Sequence, residues 1–171
     1  MTKNLIRIDY PFDEEKLLKE FNMAIEHNMF EAYTDERYDS YFNGLQATCG
    51  LENHPEFEYA NEVTDHIRKE FNITGRMSPR FYTLYENAIL RSHVDIDTEC
   101  EINHVLKGDD AGLFFGEYTG DNTEQYKTAL LNTAALHGVK NKSQQRVLFK
   151  ISIFNEKFES VAKKIDSIKK I

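Results

Sequence analysis

Three stretches of otherwise apolar sequence carry polar side chains whose types and spacing suit metal and anion chemistry. They are His93-Val94-Asp95, His137 within Leu130-Leu131-Asn132-Thr133-Ala134-Ala135-Leu136-His137-Gly138-Val139, and Arg146 at the head of Arg146-Val147-Leu148-Phe149-Lys150-Ile151-Ser152-Ile153-Phe154. Successive side chains of an extended chain alternate between faces, so His93 and Asp95 share one face while Val94 and Ile96 take the other. An apolar run then delivers His137 to a turn marked by Gly138. Two imidazoles and one carboxylate form a facial set that leaves coordination positions open and suits Fe(II). Asp97 also lies on the His93 face and competes with Asp95 as the carboxylate. Arg146 follows His137 by nine positions, in a strand too apolar to carry a guanidinium without a partner. That partner is a dicarboxylate or an internal Asp or Glu.

At these residues the chain resembles the Fe(II)/2-oxoglutarate-dependent dioxygenases, whose motif is His-x-Asp, a distal His, and an Arg or Lys about one strand later. The resemblance runs from Arg80 to Phe154, under half of the chain. It implies that His93, Asp95 and His137 hold Fe(II) and that Arg146 pairs with the distal carboxylate of 2-oxoglutarate. The implied reaction is decarboxylation of 2-oxoglutarate to succinate and CO2, coupled through O2 to hydroxylation of a C–H bond. Prolyl and aspartyl/asparaginyl hydroxylases are the implied relatives, and hence a peptidyl or amino-acid substrate.

Related enzymes often keep a Tyr against 2-oxoglutarate on the strand before the triad. Tyr82 and Tyr85 are the candidates; three positions apart, only one of them faces inward, and Tyr82 is taken as the cofactor-binding residue. Alternation in Glu101-Ile102-Asn103-His104-Val105-Leu106 sends Asn103 and His104 to opposite faces, so only one of them looks into the barrel; Asn103 is taken as that residue and as a hydrogen-bond partner of the co-substrate, and His104 as a partly exposed strand residue. Glu117 divides evenly between pocket lining and surface. The chain departs from the family pattern at Leu148, where many members place Ser or Thr two residues after the Arg. A second reading is a cupin-like metal-binding module without redox chemistry.

These residues need strands to hold them. Short candidate strands at 80–85, 89–96, 101–106, 112–118, 128–134 and 147–154 are separated by turn residues such as Lys107-Gly108-Asp109-Asp110 and Gly120-Asp121-Asn122. They predict a mostly β fold with flanking helices (α+β), a double-stranded β-helix or cupin-like jelly roll. A first strand at 5–10 leads into a helix that Asp13 caps, with a stripe of Leu17, Leu18, Phe21, Ala24 and Ile25. A second helix starts at Asn53-His54-Pro55 and runs to about Glu70, with Tyr59, Ala60, Val63, Ile67 and Phe71 on its stripe. Between them lies a Tyr-rich acidic stretch with Tyr33, Tyr38 and Tyr41, read as a loop at the pocket mouth. The breaker cluster 72–79 marks a joint. The expected organisation is one domain, with 1–79 a mainly helical buttress, 80–154 the jelly-roll core and 155–171 a C-terminal helix.

Composition bounds the partners. The chain has 171 residues with a formal net charge of −8, from 29 acidic and 21 basic residues. That balance disfavours nucleic acid and anionic membranes. No apolar window is long enough to span a bilayer, and the charged N-terminus does not read as a signal peptide, so the expected location is cytoplasmic. Cys49 and Cys100 stand far apart in no metal-ligand spacing and read as two reduced thiols.

Overall fold

The computed structural model describes residues 3–32, 45–108 and 111–168. Its elements are β1 (Leu5–Arg7), α1 (Glu14–Glu26), β2 (Glu31–Ala32), β3 (Gln46–Gly50), α2 (Glu58–Glu70), β4 (Arg76–Leu84), β5 (Ile89–His93), β6 (Cys100–Lys107), β7 (Gly112–Phe115), β8 (Thr123–Glu124), β9 (Thr128–Leu131), β10 (His137–Lys140), β11 (Arg146–Phe154) and α3 (Phe158–Ile168). The strands form a seven-stranded sheet, ordered β1-β9-β6-β11-β4-β3-β2, and a four-stranded sheet, ordered β5-β10-β7-β8. Every neighbouring pair is antiparallel. No helix among the described residues is long and apolar enough to cross a membrane.

The larger sheet has one dry face and one polar face, and the alternation is readable along its central strand. On β11, Val147, Phe149, Ile151 and Ile153 pack outward with Phe81 and Ile102 into a core completed by Leu17 and Phe21 of α1, Val63 and Ile67 of α2, and Val161 and Ile165 of α3. Phe149 is fully buried at its centre, and truncating it to Ala would cost roughly 3–5 kcal/mol. The intervening residues, Arg146, Leu148, Lys150 and Ser152, face inward and line a cavity between the sheets.

The helices are held by specific ends. Asp13 accepts a hydrogen bond from the Lys16 amide at 3.1 Å, and Glu14 and Glu15 occupy the first turn of α1, where carboxylates complement the helix dipole. Phe57 gives α2 no side-chain cap. The buried carboxylate of Glu20, on α1, replaces it by accepting from the Tyr59 and Ala60 amides at 2.7 and 3.0 Å. One carboxylate thus satisfies α2 and ties it to α1.

Several expectations need correction. The seven-stranded sheet recruits β1, β2 and β3 from the first 79 residues, and β4 begins at Arg76 inside the segment read as a joint. Asn53, with φ 69°, sits in a turn, so α2 starts at Glu58. Ile25 is 52% exposed and leaves the α1 stripe. His137 opens strand β10 instead of entering a turn. His104 does face away from Asn103, but α1 covers that face: His104 is buried against Phe12, bonded to Thr128 Oγ1 at 2.7 Å and close to Glu14 at 3.2 Å. Tyr33, Tyr38 and Tyr41 lie outside the described residues.

Candidate metal centre and its cavity

Strand pairing brings the two imidazoles together. β5 and β10 run antiparallel with His93 opposite His137, and the register shifts just after His137. Gly138 makes that approach possible: a Cβ there would lie 2.6 Å from the Leu90 carbonyl oxygen and would also strike the Phe114 ring. Asp95 follows the end of β5 and is anchored by its amide, which donates to the Thr133 carbonyl at 2.9 Å.

The donor atoms of His93, Asp95 and His137 all lie within 4.8 Å of one another. His93 Nε2 is 3.6 Å from Asp95 Oδ1, too long for a hydrogen bond and suited to two groups that share an ion. Each imidazole is oriented from behind. His93 Nδ1 lies 2.8 Å from the Arg91 carbonyl and His137 Nδ1 lies 2.9 Å from the Ala135 carbonyl. A carbonyl only accepts, so the proton sits on Nδ1 and the Nε2 lone pair points into the site. Burial, reinforced by His93, pushes the pKa of His137 down to about 4, which keeps it a neutral ligand. The donor set therefore fits a divalent ion that tolerates two nitrogens and one oxygen, Fe(II) among them.

A cavity of about 330 Å³ joins this cluster to the inward face of the larger sheet. Arg146 lines it and is only 2% exposed. Its guanidinium lies over the Tyr126 ring at 5.3 Å, and among the described residues its Nε has no hydrogen-bond partner and no carboxylate forms an ion pair with it. A buried guanidinium that stacks on a ring and pairs with no side-chain carboxylate among the described residues is suited to hold the carboxylate of a ligand. Asn103 stands in the same wall, with Nδ2 3.5 Å from the Tyr126 hydroxyl and Oδ1 buried without a partner. Exchanging the amide's oxygen and nitrogen lets the Tyr126 hydroxyl donate to Oδ1.

Tyr82 also lines the cavity and donates its hydroxyl to Gln46 Oε1. Tyr85 is 46% exposed. Asp97 lines the cavity but is exposed and lies outside the three-residue cluster. Glu117 is exposed, with its carboxylate 3.4 Å from Ser92 Oγ.

Lys150 and Glu101 also line the cavity and were not singled out as site residues from sequence. Lys150 Nζ lies 2.8 Å from Glu101 Oε1, and Glu101 also accepts from Ser152 Oγ at 3.1 Å. Burial alone would draw the Lys150 pKa down, but the Glu101 carboxylate outweighs it and holds the ammonium above its ordinary value. Arg80 completes the group. The alternation that put Arg146 inward puts Lys150 inward too, and Arg80 shares a face with Tyr82, so the period of two contained the signal.

No protein-family model matches the chain, and no curated protein matches it. Solved structures do resemble it. A Pseudomonas putida prolyl-4-hydroxylase is similar over 91% of this chain and 94% of its own, with TM-score 0.62 and 11% identity. A Trichoplax adhaerens prolyl hydroxylase, in complex with a hypoxia inducible factor peptide, is similar over 92% and 84%, with TM-score 0.64 and 11% identity. HygX from Streptomyces hygroscopicus, with nickel and 2-oxoglutarate bound, is similar over 91% and 85%, with TM-score 0.57 and 12% identity. The chain has the double-stranded β-helix fold of these oxygenases.

Proposed function

We propose that this chain is an Fe(II)- and 2-oxoglutarate-dependent oxygenase that hydroxylates a C–H bond of a peptidyl or amino-acid substrate. One observation carries the reading: the His93, Asp95 and His137 donors converge within 4.8 Å in the same cavity as a buried Arg146 that no carboxylate among the described residues pairs with. A bare metal-binding module leaves Arg146 unexplained. The fold neighbours support the same chemistry, and the substrate class rests on the peptide named with one of them.

The residues have separate tasks. His93 and His137 present Nε2 lone pairs, with tautomers fixed by the Arg91 and Ala135 carbonyls. Arg146 holds the distal carboxylate of 2-oxoglutarate through its planar fork, and Asn103 supplies an amide beside it. Leu148 and Leu113 give the same cavity dry wall, which keeps water from the reacting groups and strengthens the charge pairing. The iron, when bound, supplies the redox chemistry that couples O2 to the oxidation of 2-oxoglutarate and of the substrate. In balance, one O2 and one 2-oxoglutarate give succinate, CO2 and one hydroxyl on the substrate carbon; succinate and the hydroxyl each take one oxygen atom from O2, and CO2 leaves with the two oxygens of the 2-oxoglutarate C1 carboxylate.

Adding Fe(II) and 2-oxoglutarate without oxygen tests the reading. A weak visible charge-transfer band that needs both additions, followed by succinate release on admitting O2, is the expected result. Stoichiometric metal binding with no band and no succinate would assign the chain to the bare metal-binding class.

A further inference from the structure

The cavity contains a second guanidinium that the proposed reaction leaves idle. Arg80 lies on the inward face of β4 and lines the cavity, and its Nε is enclosed without a hydrogen-bond acceptor. Of the carboxylates that line the cavity, Glu101 takes Lys150 and Ser152, Asp95 belongs to the metal set, and Asp97 is exposed. Among the described residues, no carboxylate forms an ion pair with Arg80.

Position separates Arg80 from the Arg146 carboxylate site. In the β11–β4 ladder Arg80 faces Lys150, whereas Arg146 faces Leu84. Lys150 lies four positions beyond Arg146 on β11, which is about 13 Å at about 3.3 Å per residue. The charge-balanced Lys150–Glu101 pair sits at that level, on Arg80's own wall. Gly50 stands opposite Arg80 in the β3–β4 ladder, so a side chain there would project to the same face, yet a Cβ at Gly50 would meet nothing within 4 Å. Phe154 and Ile96, the latter 47% exposed, add apolar surface to the cavity lining.

We infer that Arg80 recognises the prime substrate, and that the substrate carries a carboxylate which docks on this guanidinium while an aliphatic C–H bond is presented toward His93, Asp95 and His137. The inference rests on the proposed reaction, because it assigns Arg146 to the co-substrate and leaves Arg80 for the second acid. The carboxylate belongs to a free amino acid or to an acidic side chain of a peptide. A planar carboxylate matches the fork of an Arg in two hydrogen bonds.

The test uses the full chain, labelled with ¹⁵N and loaded with Zn(II) as an inert, diamagnetic stand-in and with 2-oxoglutarate. The Arg80 Nε–H resonance is followed while acetate, free L-amino acids and N- and C-blocked aspartyl and glutamyl peptides are added, each beside its matched carboxamide. Acids should move the resonance with affinities roughly tenfold or more above their amides, the scale of a charge-assisted pair. The stronger arm, free amino acids or blocked acidic peptides, identifies the source. Arg80→Gln should erase the acid preference and leave Zn(II) and 2-oxoglutarate affinity unchanged, while Arg80→Lys should restore part of it. Equal response to acids and amides, or no response to any acid, overturns the inference. So does a loss of 2-oxoglutarate affinity in Arg80→Gln, which would make Arg80 a co-substrate residue and leave the reaction standing. Failure of the wild-type protein to bind 2-oxoglutarate at all overturns both readings together.

Discussion

His137 faces His93 directly across the β10–β5 ladder, with ring centroids 4.5 Å apart. Strand pairing alone therefore brings the two nitrogen ligands to one place, and slipping the ladder by one residue would turn one ring to the opposite face. The carboxylate is set differently, by a loop amide bonded to Thr133.

Asp95 and Asp97 separate cleanly under mutation. Asp95→Ala should lose stoichiometric Fe(II), weaken metal binding beyond the ~10–100-fold typical of losing an outer partner, and abolish succinate release. Asp97→Ala should keep both. Iron analysis after desalting, with a turnover assay, decides it; a normal Asp95→Ala protein removes Asp95 from the metal set.

Gly138→Ala should damage the metal centre without touching a ligand. The new Cβ would press on the Leu90 carbonyl and the Phe114 ring, at about 1–3 kcal/mol of stability. The β10–β5 ladder should shift and carry His137 with it. Calorimetric melting and a metal titration read the two effects. Gly50→Ala, which meets open space, is the stability control.

Removing the guanidinium of Arg146 strands a carboxylate in a dry site, a loss on the order of 3–5 kcal/mol. Arg146→Ala should accordingly weaken 2-oxoglutarate binding by roughly two to three orders of magnitude, with metal binding retained. Arg146→Lys should recover part of the affinity, because it keeps the charge and loses the fork. Titration of 2-oxoglutarate into the Fe(II) protein, followed at the charge-transfer band, gives the numbers. An unchanged dissociation constant in Arg146→Ala would place the carboxylate elsewhere.

Glu156 links acid stability to the C-terminal helix. Burial raises its pKa, but Lys164, Ser160 and the Thr74 and Gly75 amides outweigh that and hold it down at about 2. A depressed folded-state value means the stabilisation is full above the unfolded pKa of about 4.3 and is lost as pH falls through about 2. Urea midpoints measured between those limits should fall in the wild-type protein. Glu156→Gln should start lower and lose that slope, and parallel profiles for the two would remove Glu156 as the cause.

Much of the site was legible because its signals are local. His93-x-Asp95 needs only a period of two, and Arg146 stood out against the apolar residues beside it. Asp13 was readable as a cap for the same reason. β10 was missed because only four residues form it and Gly138 reads as a turn until the neighbouring Phe114 shows why a side chain is excluded. Arg80, Lys150 and Glu101 were not grouped because β4, β11 and β6 become neighbours only through long-range pairing. His104 shows the complementary failure: alternation chose its face correctly, but whether that face meets water or α1 is decided far away in the chain.

The division of labour between the sheets has a thermodynamic corollary. His93 and His137 belong to the four-stranded sheet, Arg146 to the seven-stranded one, and the cavity lies between them. A diacid that reaches from Arg146 to the metal braces one sheet against the other, so each ligand relieves part of the ordering that the next would otherwise bear. Linkage makes that effect reciprocal: by whatever factor the ion tightens the diacid, the diacid tightens the ion, and loss of either slackens the clamp on both.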